Sequence, residues 1–364
     1  MSQPLPSSAS TGMTAAGTLA TARGLYHRIT YRKLLILAAL SVALVLSVLW
    51  DVSYGPSGLT MGGVIRTIFF RDEASAMDQV IVWDIRLPMA LMAVAVGVSL
   101  SIAGAEMQTI LNNPLASPFT LGISAAAGFG AALAMVTGIS VIPFAGIFLV
   151  SANAFVFAAG ASFLIYAFSI MRGVSTESMV LLGIAMVFLF SSLLALLEYI
   201  ANEQTLQQVV FWSLGSLTKV TWPKIGIALG VFALTVPFFV TRAWKLTALR
   251  LGDESAKSLG VDVQSLRLQV LIAVSLLAAT AVAFVGIIGF VGLVGPHVAR
   301  MLVGEDQRYF LPASALAGGL LLSLAAIVSK SIVPGALIPI GIITSLVGVP
   351  FFLSLIMLRR RQLW

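Results

Sequence analysis

Long apolar stretches alternate along the chain with short clusters of charge, glycine or proline. Ten stretches read as membrane helices: 34–50, 87–111, 119–138, 142–170, 178–199, 224–241, 267–286, 292–303, 311–329 and 338–358. A span needs about 20 predominantly apolar residues. The eighth stretch is too short to cross alone, so the backbone before it, "GIIGFVGLVGP", is expected at membrane depth. Only surrounding protein or a cavity can shelter irregular backbone there. A short helix near 205–214 is expected at the outer surface. The pattern predicts an all-α polytopic membrane protein.

Residues 1–33 are polar and rich in Ser, Thr and Ala, and read as a disordered cytoplasmic tail. Residues 34–364 read as one transmembrane domain. A signal peptide would require a small-residue cleavage site after the first apolar run. "WDVSYGPSG" offers none, so that run is expected to be the first membrane helix.

Composition agrees with the pattern. Of the 364 residues, 59% are hydrophobic and 10% charged, with a mean hydropathy of +1.04. A soluble chain of this length needs more polar surface. The net charge of +7 does not imply nucleic acid. With the amino terminus inside, 15 of the 21 Lys and Arg fall on the inner side, so both termini are expected to be cytoplasmic. Zero cysteines exclude disulfides, thiolate metal sites and cysteine nucleophiles. The only histidines are His27 and His297, too few for a histidine-built metal site. No G-x-x-x-x-G-K-[ST] loop and no nucleophile–base–orienter set occur, which argues against an enzyme.

Two segments interrupt the apolar pattern. "NNPLASP" lies within Met107 to Met171, which holds no charged side chain, and "GIIGFVGLVGPH" precedes the eighth span. Interrupted apolar segments in corresponding places of two halves point to a transport pathway. In the first, Pro114 and Pro118 stop the helix, and Asn112 and Asn113 can satisfy freed backbone groups. The residues alone fit either a connecting turn or part of a pathway.

Three further features carry candidate chemistry. The loop from Arg242 to Arg267 contains "LRLGDESAKSLGVDVQSLRLQ", which reads as two short helices separated at Gly260. Leu249, Leu251, Ala256 and Leu259 form a partial apolar face. It is either a connector on lipid headgroups or a docking surface for a cytoplasmic protein. Glu106, the only acid between Asp84 and Glu177, lies about 8 Å inside the end of its helix at 1.5 Å per residue. It is a pathway candidate, or an interfacial glutamate bonded within the bundle. Arg86 suits an interfacial anchor, and His297 after Pro296 suits a helix start.

Three motifs carry a family resemblance. "IRLPMALMAVAVGVSLSIAGAEMQTILNNPLASPFTLGIS", "LGDESAKSLGVDVQSLRL" and "GFVGLVGPHVARMLVGEDQRYFLPASALAGG" occur in that order. Together they resemble the permease subunits of bacterial ABC importers for ferric siderophores, haem and vitamin B12, over residues 80–358. The resemblance implies a BtuC-like ABC importer permease fold of about ten helices in the cytoplasmic (inner) membrane. It implies pairing with a second copy or a sister permease. Its other implied partners are two cytoplasmic ATP-binding subunits, which hold ATP and magnesium, and an extracytoplasmic siderophore-binding protein.

The resemblance also implies roles. Gly252, Asp253, Glu254, Ala256, Lys257, Leu259 and Gly260, in the loop spanning about 250–266, match the ATPase-coupling helices. Asn113 and Leu115 match the cytoplasmic gate, with Ser175 and Glu177 of "VSTES" as its companion. Arg86 and Lys330 match a basic patch that docks the binding protein. Met89, Ala326 and Leu337-Ile338-Pro339 depart from the family pattern, the last two where acids are common. The expected cargo is an iron–siderophore complex, with haem and vitamin B12 as alternatives. Iron would travel in its chelator, so no metal or cofactor site is expected in this chain. The rival from another class is a secondary transporter driven by protons through Glu106.

Overall fold

The computed structural model describes residues 15–55, 59–142, 145–172, 176–333 and 335–359. These fold into α1 (Ala15–Ser53), α2 (Met61–Phe69), α3 (Ala76–Gln79), α4 (Leu87–Ile110), α5 (Ile123–Thr137), α6 (Leu149–Arg172) and α7 (Thr176–Ile200). The second half holds α8 (Glu203–Ser213), α9 (Trp222–Leu249), α10 (Asp253–Ser258), α11 (Val263–Val285), α12 (Val291–Val303), α13 (Gln307–Ser331) and α14 (Ile340–Arg359). A π-helical stretch, Val80–Arg86, joins α3 to α4 as one continuous helical run. Seven helices are long and apolar enough to cross a membrane, and α5, α12 and α14 supply three shorter apolar ones. These ten correspond to the ten expected spans.

The differences lie at boundaries. α1 begins at Ala15, so the expected disordered tail is helical from that point; no proline interrupts the sequence between Ala15 and Ser53. Residues 1–14 lie outside the described residues. α9 runs to Leu249 rather than 241, because the charged turn "TRAWKLTAL" continues the helix past its apolar part. The second short helix expected after Gly260 is the first turn of α11. The short outer helix expected near 205–214 is α8.

Lipid gives helices no hydrophobic reason to associate, so close packing through small residues takes that role. α4 packs at the centre against α11, α12 and α13. Its backbone meets theirs so closely that a Cβ added to Gly104 would lie 1.7 Å from the Gly292 carbonyl oxygen. Ser101 Oγ donates to the Ser314 carbonyl at 2.6 Å, and Ser47 Oγ to Ser323 Oγ at 2.8 Å, tying α4 and α1 to α13. α1, α7 and α9 instead expose much of their apolar surface, suited to lipid or another chain.

The break before α12 is sheltered as expected. α11 ends at Val285, capped by Gly286, and α12 begins at Val291, with Phe290 at a φ of 67°. Ser216 N donates to the Val285 carbonyl at 2.7 Å. Ile340 N and Gly341 N both donate at 3.1 Å, to Gly215 and Leu214, so the start of α14 closes on the same turn.

Candidate functional site

Helix α4 leads from Arg86 at one end of the bundle to a second end rich in arginine. The loop after it turns sharply at that end. Asn112 adopts a φ of 43°, a left-handed conformation asparagine tolerates better than most residues. Asn113 N donates to the Gln108 carbonyl at 3.1 Å, and Asn113 Oδ1 accepts from Leu115 N at 2.9 Å. This is the asparagine backbone-bonding expected from the sequence. Pro118 then opens a 3-10 turn, braced by Ser117 N donating to Thr120 Oγ1 at 3.2 Å. Leu115 projects outward at the tip. Glu177 is exposed in the first turn of α7, and Ser175 lies outside the described residues.

At the same end the short helix α10 packs between α9 and α11 through buried Ala256. Asp253 and Glu254 begin it, and Lys257 lies in its last turn, each charge placed to suit the helix dipole. Gly260, at a φ of 80°, closes it: Gly260 N donates to the Lys257 carbonyl at 2.9 Å and Val261 N to that of Ala256 at 3.0 Å. The expected apolar face divides. Leu249 and Ala256 pack inward, whereas Leu251 is 68% exposed and Leu259 50%, beside Glu254 and Lys257.

Arg267 fastens this helix to the loop. Its Nη1 and Nη2 each donate to an Asp253 carboxylate oxygen at 2.8 Å, and its Nε donates to the Ile110 carbonyl at 2.8 Å. One buried guanidinium therefore joins α10, the first turn of α11 and the last residue of α4. Sequence reasoning counted Arg267 only as an inner-side cation.

A wider polar cluster surrounds the end of α4. Arg300 Nη2 donates to Gln108 Oε1 at 2.8 Å, Arg300 Nε lies 2.9 Å from Glu305 Oε1, and Arg250 also pairs with Glu305. Gln307 Nε2 donates to Thr109 Oγ1 at 2.9 Å. Asp306 caps α13, and the Arg308 side chain bonded to its carboxylate holds that carboxyl below its usual range. Glu106 lies in the last two turns of α4, beside this cluster. It is 0% exposed, and neither carboxylate oxygen has a hydrogen-bond partner among the described residues. In this conformation it faces no open surface.

The opposite end also departs from expectation. Arg86 is 5% exposed and Lys330 6%, so neither presents a free basic patch. Lys330 Nζ lies 2.8 Å from Asp51 Oδ1, and Arg86 Nη1 donates at 3.0 Å to the carbonyls of Val52 and Ser53. Both cations close onto the end of α1, because Asp51 is wholly buried there and needs compensation. Next to them, α8, the α8–α9 turn and the start of α14 enclose a cavity of about 670 Å³. His297 is buried at ring distance from Phe351, in keeping with a structural place in α12.

Among the described residues, seven helices long and apolar enough to cross a membrane and three shorter apolar ones, with a short charged helix bonded to the turn after α4, define a polytopic membrane protein. A model of the FecCD transport family matches residues 20–359. The hemin transport system permease HmuU of Yersinia pestis is 36% identical over 329 residues, covering 90% of this chain and 97% of that one. The molybdate import permease MolB of Haemophilus influenzae is 33% identical over 322 residues, covering 87% and 94%. A solved inward-facing structure of a metal-chelate type ABC transporter superposes with a TM-score of 0.78 at 32% identity, covering 88% of this chain and 98% of that one. The chain belongs to the FecCD transport family: it is the permease of an ABC importer, a multi-span protein of the cytoplasmic membrane.

Proposed function

We propose that this permease carries an iron–siderophore complex inward, driven by two ATP-binding subunits docked on its arginine-rich face. That face is taken as cytoplasmic because the excess of Lys and Arg lies there. The observation that carries the coupling role is the bond set of Arg267, which ties α10 directly to the carbonyl of Ile110 and so to the "NNPLASP" turn. Exposed Leu251 and Leu259, flanked by Glu254 and Lys257, favour a protein-docking surface over a solvated connector.

In this reading α10, with Gly252, Asp253, Glu254, Ala256, Lys257, Leu259 and Gly260, seats in a groove of the ATPase. Movement of α10 is passed by Arg267 to the end of α4. Asn113 and Leu115, with Ser175 and Glu177 as the companion gate, then open and close the inner side as packed halves shift. The partner is a second copy or a sister permease, and an extracytoplasmic binding protein delivers the cargo. A chelated metal is supported by the metal-chelate type transporter that superposes on this chain, and iron by a relative named for iron chelatin transport. A family whose members are named for hemin and molybdate does not by itself fix the cargo.

The test is uptake of radiolabelled iron, supplied as a panel of ferric siderophores, into proteoliposomes holding the permease and its ATPase, with binding protein outside. ATP-dependent uptake of one chelate supports the reading. Uptake that ignores ATP and follows a proton gradient overturns it.

A further inference from the structure

The cavity beside Lys330 has a one-sided chemistry. Its walls include the ammonium-bearing Lys219, Lys224 and Lys330, and no Asp or Glu is among the described residues that line it. Gln204, Gln207 and Gln208 also line it. At spacings of three and four residues they place a row of amides on one face of α8. Trp212 supplies an apolar wall. The volume of about 670 Å³ lies within the range of small-molecule sites, roughly 300–1,000 Å³.

The three lysines are not equivalent. Lys330 is neutralised by Asp51 at 2.8 Å. Lys224 Nζ donates to the Lys219 carbonyl at 2.7 Å, a contact that leaves its charge uncompensated, and Lys219 is exposed. Both line the same cavity. A cleft lined by one sign of charge concentrates ligands of the opposite sign. Neither lysine belongs to the basic patch assigned from the sequence.

We propose that this cavity receives the cargo on the outer side and selects anionic chelates, with Lys219 and Lys224 pairing with carboxylate or catecholate oxygens and the α8 glutamines donating to the remaining ones. The proposal rests on the importer reading above and adds the charge class of the substrate. A neutral chelate of equal size would fill the same space without the ion pairs.

The experiment uses the full-length permease with its ATPase in nanodiscs, without binding protein. It measures binding of two iron-55 chelates of similar size: a ferric tris-catecholate, which is a trianion, and a ferric tris-hydroxamate, which is neutral. The trianion is expected to bind about tenfold more tightly, with the margin shrinking as salt screens the site. Replacing Lys219→Gln together with Lys224→Gln removes the margin and leaves the neutral chelate's affinity unchanged. Lys219→Gln alone, at an exposed position, narrows it, and the salt series on the unaltered protein tests the same charge dependence without any substitution.

Equal binding, preference for the neutral chelate, or a margin that survives in the double variant overturns the assignment. So does binding that appears only when the binding protein is added, which would give these lysines to protein docking. Uptake in sealed vesicles separates the two readings. Equal ATP-driven uptake of both chelates without charge-selective binding leaves the importer and sinks the cavity assignment. Charge-selective binding without ATP-driven uptake of either chelate sinks the iron–siderophore reading and leaves the cavity as an anion site.

Discussion

Arg267 holds Asp253 through two parallel bonds of 2.8 Å while its third nitrogen grips the carbonyl that ends α4. The arginine is 4% exposed and the aspartate 41%, so the pair runs from the surface of α10 to the interior. A planar guanidinium is suited to this task because it fixes direction as well as charge. α10 cannot tilt without pulling on the turn that carries Asn113 and Leu115.

Arg267→Met is expected to keep the bundle inserted and uncouple it. The variant loses the bidentate pair and leaves the Ile110 carbonyl without its donor, a stability loss of about 1–3 kcal/mol. Because Asp253 is partly exposed, its share of that loss is small. ATP hydrolysis and iron uptake, measured in the same proteoliposomes, are expected to separate, with hydrolysis retained and uptake lost. Arg267→Lys, which keeps the charge but not the fork, should recover only part of the coupling. A parallel fall in both activities would show instead that the ATPase no longer docks.

Gly260→Pro probes the same helix from its other end. Proline fixes φ near −65°, whereas Gly260 sits at 80°, and it removes the N–H bonded to Lys257. The Cβ itself would meet open space, so the defect is confined to backbone conformation. Loss of coupled uptake with normal membrane insertion is expected, and Gly260→Ala should show a milder version. Unimpaired uptake per ATP in the proline variant would remove α10 from the coupling role.

What the sequence made legible was local. Proline and asparagine chemistry located the turn after α4, and Gly260 located the end of α10, because each acts through its own backbone. The ten apolar helices followed from length and hydropathy. The closure of Arg86 and Lys330 onto the end of α1 was hidden because Asp51 stands 279 residues from Lys330, and the carbonyls that Arg86 bonds stand 34 and 33 residues from it; no short-range pattern reports such pairs. Arg267 was hidden for the same reason. The depth of Glu106 was visible in the sequence, whereas the face of α4 that carries it was not: small residues lie on every side of that helix. α9 was cut short because Arg242 and Lys245 read as loop, although a helix leaving the bilayer can carry charge along its exposed side.

The outer cluster makes a prediction about stability. Asp51→Asn or Lys330→Met alone leaves the other charge buried without its partner, which costs about 3–5 kcal/mol. Arg86, also facing Asp51, should moderate the lysine variant more than the aspartate one. Replacing both members together should restore most of the loss. Thermal unfolding in detergent of the two single variants and the double variant measures this directly. Additive losses would mean that the two residues act separately.

Packing along α4 gives a sharper threshold. An added methyl on Gly104 would sit 1.7 Å from the Gly292 carbonyl oxygen, which is backbone and cannot turn aside. Gly104→Ala should force α4 and α12 apart, costing about 1–3 kcal/mol or more, and lower the yield of folded permease. Gly128→Ala serves as the control, since its nearest contacts are side chains at 3.5 and 3.6 Å. Equal yields of the two variants would mean that the α4–α12 contact is looser than the structure describes.

Glu106 decides between ATP and a proton gradient as the source of drive. It is buried inside the subunit with no hydrogen-bond donor on either oxygen among the described residues. A carboxylate that relayed protons would need a path to water, and in this conformation it has no exposed atom. Glu106→Gln preserves its shape and removes its proton chemistry, so the variant is expected to assemble and to keep ATP-driven uptake. Proteoliposomes carrying an imposed proton gradient and no ATP should accumulate no iron with either glutamate or glutamine at this position. Gradient-driven uptake that vanishes in the variant would establish the proton reading in place of the ATP-driven one.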